Sequence, residues 1–282
     1  MDMPARDITL SPGLDIHYFH RAGSGPTLIF LHPSSGYGRM WQDTTAHLPP
    51  EYNVFAPDMR GHGDSSRPDG EYSAEELADD LKLFIDRLGL HRVIVAGHSL
   101  GGRVALCFAA AHPDLTAGLI MVAGPHLSNF YQTRDAVRTV YTTAYKTMVS
   151  ETKFPSREAA LAYIGTFRPN DTPVAWQHRV DYNMTHAPDG TVTVKYDPVR
   201  VAEGLTHQLI DLKCAASAVQ CPTAFIRATG SSEMTADAAK DVAKFWTRTP
   251  VDIYAVEAKV NLQIENPQSL AQAITEFVRL RV

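Results

Sequence analysis

The sequence predicts an α/β protein: a mostly parallel central sheet flanked by helices, with a helical lid inserted over one edge. Three observations carry this. Short β-branched apolar runs alternate with amphipathic helical stretches, the pattern of consecutive βα units. One run leads into Gly97-His98-Ser99-Leu100-Gly101-Gly102, a serine between glycines where a strand gives way to a helix. The alternation is interrupted once, from about residue 124 to 214.

Taken in order, residues 6–10 and 16–20 read as a hairpin about Ser11-Pro12-Gly13. Thr27 to Leu31 is a continuous apolar run ending in His32-Pro33-Ser34-Ser35-Gly36. Arg39 to Leu48 reads as a helix stopped by Pro49-Pro50. Asn53 to Pro57 is a buried strand, followed by Asp58-Met59-Arg60-Gly61-His62-Gly63-Asp64-Ser65. Ser73 opens a helix with Glu76 three residues on, a capping box. Leu77, Leu81, Phe84, Ile85 and Leu88 give that helix one apolar face. Arg92 to Ala96 suits a buried parallel strand, and Arg103 to Ala111, rich in Ala and Leu, suits a helix. Gly118 to Ala123 is the next strand.

The interrupted stretch suggests helices over Arg134–Ser150, Arg157–Thr166 and Pro173–Tyr182, and a small hairpin near Thr191–Val194 after Asp189-Gly190. It is rich in Tyr, Phe, His and Met and has no place in the sheet. Ligands of open α/β sheets bind at the carboxyl ends of the strands, so this stretch is expected to be a lid that sets substrate choice. The division expected is a core of residues 1–123 and 215–282 and a lid of 124–214. Alternation resumes with a strand at Pro222–Arg227, a helix at Thr235–Trp246 and a strand at Val251–Val256. Pro267 starts the final helix, whose face includes Leu270, Ile274, Phe277 and Leu280.

Composition narrows the class. A chain of 282 residues with 44% apolar and 20% charged residues is ordinary for a globular protein with a large core. Net charge is −5 with no basic block, which argues against a nucleic-acid partner. No apolar run approaches the ~18 residues that a membrane span needs, and the charged start Met1 to Asp7 lacks a secretory h-region. Cys107, Cys214 and Cys221 are odd in number and loosely spaced, against a disulfide framework or a zinc site. Cys107 reads as a small core hydrophobe. A cytoplasmic enzyme acting on a small molecule is expected. No cofactor or metal is expected, because there is no Walker motif, dinucleotide fingerprint or metal-ligand spacing. Nothing in the sequence sets an oligomeric state.

The glycines around Ser99 have a steric reason. The turn is tight enough that a side chain at Gly97 or Gly101 would collide with neighbouring backbone. The Ser99 hydroxyl is then raised clear of the sheet, at the positive end of the helix that follows. This is the context that a G-x-S-x-G nucleophile elbow requires.

Four segments together give a resemblance: His32-Pro33-Ser34-Ser35-Gly36, Asp58 to Ser65, the elbow, and Asn261-Leu262-Gln263-Ile264-Glu265-Asn266-Pro267. In order and spacing the chain resembles the α/β-hydrolase fold superfamily over nearly its whole length, in the branch that hydrolyses esters, lactones and carbon–carbon bonds. The resemblance implies that Ser99 is the nucleophile; an Asp there would have suggested dehalogenase or epoxide-hydrolase chemistry. It implies an oxyanion hole made by the backbone N–H groups of Leu100 and Ser34, each worth about 3 kcal/mol. The family has His-Gly where this chain has His32-Pro33; proline lacks an N–H, so the donor falls to Ser34, whose hydroxyl could add a second bond. Asp58 to Ser65 shapes the neighbouring loop, with His62 structural. His98 is aimed away from the Ser99 hydroxyl. His32 and His126, in the loops after their strands, are expected to line the substrate site.

The family triad needs a carboxylate after the strand ending at Arg227, where this chain reads Ala228-Thr229-Gly230-Ser231-Ser232-Glu233-Met234. Glu233 is the carboxylate of that loop and an accepted variant of the acid. The general base should precede Asn261-Leu262, and Val260 stands there. Valine can neither accept nor return a proton. Loss of the histidine costs such a triad about 10^6 in rate, ~8 kcal/mol. Three readings stay open. The chain is a hydrolase altered at Val260, so that it traps a bound substrate. Or another group serves as base: His32, His126, His178, His186 or His207, or Lys259 with a strongly lowered pKa. Or it is a binding protein that kept the pocket and lost catalysis.

Overall fold

The structure, a computed structural model, describes residues 3–124, 152–207, 212–231 and 234–282. The expected helix over Arg134–Ser150 lies outside these residues. Strands β1 (Ala5–Ser11), β2 (Leu14–Arg21), β3 (Thr27–Leu31), β4 (Asn53–Pro57), β5 (Val93–His98), β6 (Thr116–Val122), β10 (Thr223–Ala228) and β11 (Val251–Val256) form one sheet. Their spatial order is β1-β2-β4-β3-β5-β6-β10-β11. The hairpin β1-β2 joins antiparallel, and every pairing from β4 to β11 is parallel. From β3 the chain steps to β4 on one side and then to β5 on the other. The crevice beyond the carboxyl ends of β3 and β5 is therefore the topological switch point, where open α/β sheets place ligands.

Period-two alternation splits the strand side chains between two cores. Ile29, Leu31, Val93, Val95, Leu119, Met121 and Phe225 face one side. There they meet α2 (Ala74–Arg87), α3 (Leu100–Ala111), α7 (Leu212–Ala218) and α8 (Ala236–Ala243). Leu28, Phe30, Ile94, Ala96, Ile120, Val122 and Ile226 face the other, against Trp41, Met40, the short α9 (Leu262–Glu265) and α10 (Pro267–Arg281). Burial of each such side chain is worth about 1.5–3 kcal/mol, which is why the sheet centre reads as unbroken apolar runs. Ser73 caps α2, its hydroxyl accepting from the Glu76 N–H at 3.2 Å. The return bond of Glu76 goes one residue further back, to the Tyr72 N–H at 2.7 Å. Cys107 is partly buried against the first core, and burial pushes its thiol up to about 12.

Several expected elements differ. The helix expected over Arg39–Leu48 is a 3-10 turn at Gly38–Trp41 followed by a short α1 (Gln42–Ala46); the tighter turn drives Met40 and Trp41 into the core. Leu280 is 59% exposed and not part of the buried face of α10, where Val278 and Ala271 complete the stripe. The helix expected to Trp246 ends at Ala243, with Trp246 turned back into the core.

Between β6 and β10 the described residues form α4 (Arg157–Phe167), α5 (Pro173–Tyr182) and α6 (Pro198–His207). A small antiparallel sheet joins β7 (Lys153–Phe154), β9 (Val192–Val194) and β8 (Met184–His186), in that order. α4, α5 and this sheet share a core of their own, with Phe154, Ala160, Ile164, Val180, Met184 and Val192 buried. α7 begins at Leu212, and both Leu212 and Ala216 pack into the main core.

Candidate active site

Ser99 follows β5 with φ 51° and ψ −110°, and α3 starts at the next residue. A left-handed φ on a non-glycine residue costs about 1–2 kcal/mol, so the surroundings must enforce it. They do so through close backbone approach. A Cβ at Gly97 would fall on the Gly101 carbonyl, and one at Gly101 would fall on the Leu31 carbonyl. The predicted collisions are thus present. The same approach packs the first turn of α3 against the end of β3, and so beside the loop His32 to Gly36. Ser99 itself is exposed. Its carbonyl accepts from the Arg103 N–H at 3.1 Å, closing the first helical turn. The Leu100 N–H belongs to the group of first-turn donors that have no acceptor within the helix.

The loop after β3 aims a second donor. The Pro33 carbonyl accepts from His32 Nδ1–H at 2.8 Å and from the Gly36 N–H at 2.8 Å. Carbonyl and N–H point opposite ways across a trans peptide. Two bonds on the Pro33 carbonyl therefore fix the direction of the Ser34 N–H. His32 Nε2 accepts from the Met59 N–H at 2.9 Å, which sets the tautomer. His32 has no exposed surface, so the expectation that it lines the substrate site is corrected. With both nitrogens engaged, it has neither a free nitrogen for a ligand nor one to act as base; it orients Ser34. The Ser34 hydroxyl is buried and has no partner among the described residues. Ser35 is also left-handed, φ 53°. Its carbonyl is held by two residues between β7 and β9: Arg179 Nη1–H at 2.5 Å and Asn183 Nδ2–H at 2.9 Å.

The segment after β4 is a rigid neighbour. Asp58 is buried, and its carboxylate accepts from the Gly38 N–H at 2.5 Å and the Asp64 N–H at 2.9 Å. Burial pushes its pKa to about 6. Gly63, at φ 54°, lies so close to this carboxylate that no side chain fits. Arg60 grips Asp80 with two bonds of 2.5 Å and Glu76 with a third. His62 donates from Nδ1 to the Arg60 carbonyl at 2.9 Å, and burial lowers its pKa to about 4. His17, Asp58 and Asp64 place one ligand atom each within 4.8 Å of one another. His17 Nδ1 is bonded to Asp7 and the Asp58 oxygens to backbone N–H groups, so this cluster reads as loop architecture.

The loops after β10 and β11 lie side by side: the Thr229 N–H donates to Val256 and the Gly230 N–H to Ala258, both at 2.9 Å. Glu233 lies outside the described residues, as do His126 and the His207 side chain. Val260 is half-buried in the second loop. The Glu265 carboxylate accepts from the backbone on both sides of it, from Lys259 at 2.6 Å and Asn261 at 3.2 Å. Asn266 adds a bond from Nδ2 to the Glu257 carbonyl at 3.1 Å. Gln263 is fully buried and donates from Nε2 to His98 Nδ1 at 3.0 Å. His98 thus turns under the elbow to a side chain of the next loop. His178 Nδ1 accepts from the Tyr37 hydroxyl, and burial lowers its pKa to about 4. His186 donates from Nε2 to the Val180 carbonyl at 2.8 Å. Lys259 is exposed.

Glu265, Gln263, Arg179 and Asn183 were not singled out by sequence reasoning for these roles. Glu265 and Gln263 sit in a segment quoted for its spacing, and an acid four residues past Asn261 was the available signal. Arg179 and Asn183 carry none, since their target is a backbone carbonyl nearly 150 residues away in sequence.

A sequence model of the alpha/beta hydrolase fold matches residues 26–148. An uncharacterized protein of Mycobacterium tuberculosis is 36% identical over 127 residues, 43% of this chain and 37% of the relative. The chain thus spans about a third of the length of that relative. The 2-(acetamidomethylene)succinate hydrolase of Mesorhizobium japonicum is 25% identical over 257 residues, 91% of this chain and 89% of its own. A crystal structure of E-2-(acetamidomethylene)succinate hydrolase superposes with a TM-score of 0.83 at 23% identity, over 98% of this chain and 99% of that one. The strained serine at the switch point, the parallel sheet and these likenesses agree: the chain has the α/β-hydrolase fold, and residues 26–148 match that family's sequence model.

Proposed function

We propose that this chain is built as a serine hydrolase for an ester, lactone or related carbonyl substrate, and that Val260 leaves it catalytically impaired. Ser99 is the nucleophile that forms the acyl-enzyme. The N–H groups of Leu100 and Ser34 receive the oxyanion, with the Ser34 hydroxyl as a further donor. Glu233 is the triad acid, and His126 lines the substrate site. Hydrolysis as the reaction class is supported by the relative named a hydrolase along nearly the whole chain. A cytoplasmic setting is part of this reading, supported by the odd number and loose spacing of the cysteines.

The observation that carries the reading is the frame around residue 260. Glu265 holds the backbone on both sides of a position whose side chain cannot take a proton. An unassisted serine hydroxyl is a weak nucleophile at neutral pH. His32, His98, His178 and His186 are each engaged elsewhere, which weighs against a substitute base among them. Turnover of a simple aryl ester should be near background for the chain as it stands. Val260→His should raise it by several decades, up to the ~10^6 that a missing histidine costs. No gain would favour the alternative, a small-molecule binding protein on the same fold, which the valine also supports.

A further inference from the structure

The last turn of α5 meets the loop after β3 residue by residue. His178 accepts from the Tyr37 hydroxyl, and the Arg39 guanidinium lies 4.5 Å over the centre of the Tyr182 ring. Between these contacts, Arg179 Nη1–H at 2.5 Å and Asn183 Nδ2–H at 2.9 Å donate to one acceptor, the Ser35 carbonyl. Positions 179 and 183 are one helical turn apart and share a face, and the Asn183 N–H donates to the Arg179 carbonyl at 2.8 Å. The pair is thus a fork of fixed span. It is anchored in the lid. Val180 and Met184 beside it are buried in the core that α4, α5 and the small sheet share, and the Asn183 carbonyl accepts from the Lys195 N–H at 3.0 Å. The buried Asp171 nearby opposes the Arg179 charge, so the guanidinium needs no ligand.

The Ser35 carbonyl and the Gly36 N–H belong to one peptide plane and point opposite ways. With the carbonyl held from the lid, the Gly36 N–H is aimed at the Pro33 carbonyl, to which it donates at 2.8 Å. The Pro33 carbonyl in turn shares a plane with the Ser34 N–H. Orientation therefore passes from α5 to Ser35–Gly36, and from there to Pro33–Ser34, through hydrogen bonds and rigid planes alone. Ser35 sits between these planes at φ 53°, a region that side chains avoid, so the loop needs an outside hold to keep it there. His32 supplies one from the core, through the Pro33 carbonyl at 2.8 Å. The fork supplies the other from the lid.

We infer that Arg179 and Asn183 are positioning residues: through the Ser35 carbonyl they aim the Ser34 N–H, so that the oxyanion donor is set only while the lid is docked. This rests on the reading of Ser34 as an oxyanion donor. Both residues act through the loop, and neither is assigned a contact with substrate. The lid then has a second duty besides substrate choice, because it completes the site it covers.

Two measurements test this, one of them without turnover. In the protein as it stands, amide hydrogen exchange followed by NMR compares Gly36, whose N–H bonds to Pro33, with Arg103, whose N–H closes the first turn of α3. Asn183→Leu and Arg179→Met each remove one donor, and the methionine variant leaves Asp171 to Arg168 at 2.8 Å. Each should speed exchange at Gly36 by about five- to tenfold, the worth of one hydrogen bond, and leave Arg103 unchanged. In the Val260→His background, each should lower kcat on an aryl ester by about tenfold with KM kept. That is less than the cost of about 10^2–10^3 for losing an oxyanion donor outright. The two variants act on the same carbonyl independently, so either carries the test if the other does not fold. Exchange at Gly36 that is unchanged, or that rises in step with Arg103, overturns the assignment, because the fork is then idle or serves general stability alone. A loss confined to KM, with kcat kept, overturns it too. A Val260→His protein without turnover counts against the proposed function instead, and exchange at Gly36 still decides whether the fork holds the loop.

Discussion

The Glu265 carboxylate grips the backbone on either side of Val260, taking N–H bonds from Lys259 at 2.6 Å and from Asn261 at 3.2 Å. A half-buried valine needs no such clamp. Its backbone could wander over several conformations with the same apolar contact. A side chain that must point at one oxygen does need it, because aim is lost when a backbone shifts by about an ångström. The loop is therefore held in one geometry while the side chain it presents has no polar atom.

From this follows the first prediction. In a Val260→His background, Glu265→Ala should lower kcat on an aryl ester by about a hundredfold, the cost of a misplacement of about 1 Å, with KM little changed. The loss of two exposed or half-exposed hydrogen bonds should also lower stability by about 1 kcal/mol. Steady-state kinetics and thermal melting check both. A double variant as active as Val260→His alone would mean that the clamp has no part in aiming residue 260.

The sheet was legible because its central strands are buried on both faces, so β3, β5 and β6 read as unbroken apolar runs. The elbow was legible because glycine is forced at Gly97 and Gly101 by backbone contact. His32 was misread because sequence shows that a histidine lies beside the site, and only coordinates show that its two nitrogens face Pro33 and Met59. Leu280 was misread because helical periodicity continues past the point where the sheet stops covering it. The grip of Arg179 and Asn183 on Ser35 left no trace, because a backbone carbonyl looks the same at every residue.

The second prediction concerns His32 as a positioning residue. His32→Phe keeps an aromatic ring but removes a bond to the Pro33 carbonyl and leaves the Met59 N–H without its acceptor. Destabilisation of about 1–3 kcal/mol should result from the unsatisfied buried groups. In the Val260→His background kcat should fall by about 10^2, with KM largely kept, because in the proposed function the Ser34 donor acts on the transition state. A variant that loses KM and keeps kcat would return His32 to a substrate-contact role.

Glycine substitutions give a third, purely steric prediction. Gly101→Ala sets a methyl against the Leu31 carbonyl and should cost more than about 3 kcal/mol, or prevent folding, since backbone at the sheet centre cannot yield. Gly165→Ala, inside α4, meets nothing closer than 3.4 Å, from Trp176. It should stabilise by up to about 1 kcal/mol through helix propensity. Denaturant melts of the two variants separate a glycine required by contact from one that is incidental; equal effects would undo the steric account of the elbow.

Acid should destabilise the fold, and the sign follows from three buried groups. Burial lowers the pKa of His62 and of His178 from 6.5 to about 4. Between those values the unfolded chain binds protons that the folded chain refuses. The stability these histidines contribute is present above pH 6.5 and lost as pH falls toward 4, about 3 kcal/mol each as an order of magnitude. Asp58 acts in the opposite sense. Burial raises it from 3.8 to about 6, so its contribution is present at low pH and lost as pH rises through 6. Acidification across the same window thus returns about 3 kcal/mol from Asp58. Two histidines outweigh one carboxylate, and the net loss on acidification is about 3 kcal/mol. His32, lowered in the same direction by burial, adds to it, and Asp80, raised by burial, works against it. Urea midpoints at pH 7 and pH 4.5 should differ accordingly, and His62→Gln should flatten the slope. The site should respond as well, because a protonated His178 can no longer accept from the Tyr37 hydroxyl. That bond ties α5, and with it Arg179, to the loop that carries Ser34. A midpoint that does not change between the two pH values would show that these histidines titrate alike in the folded and unfolded chain.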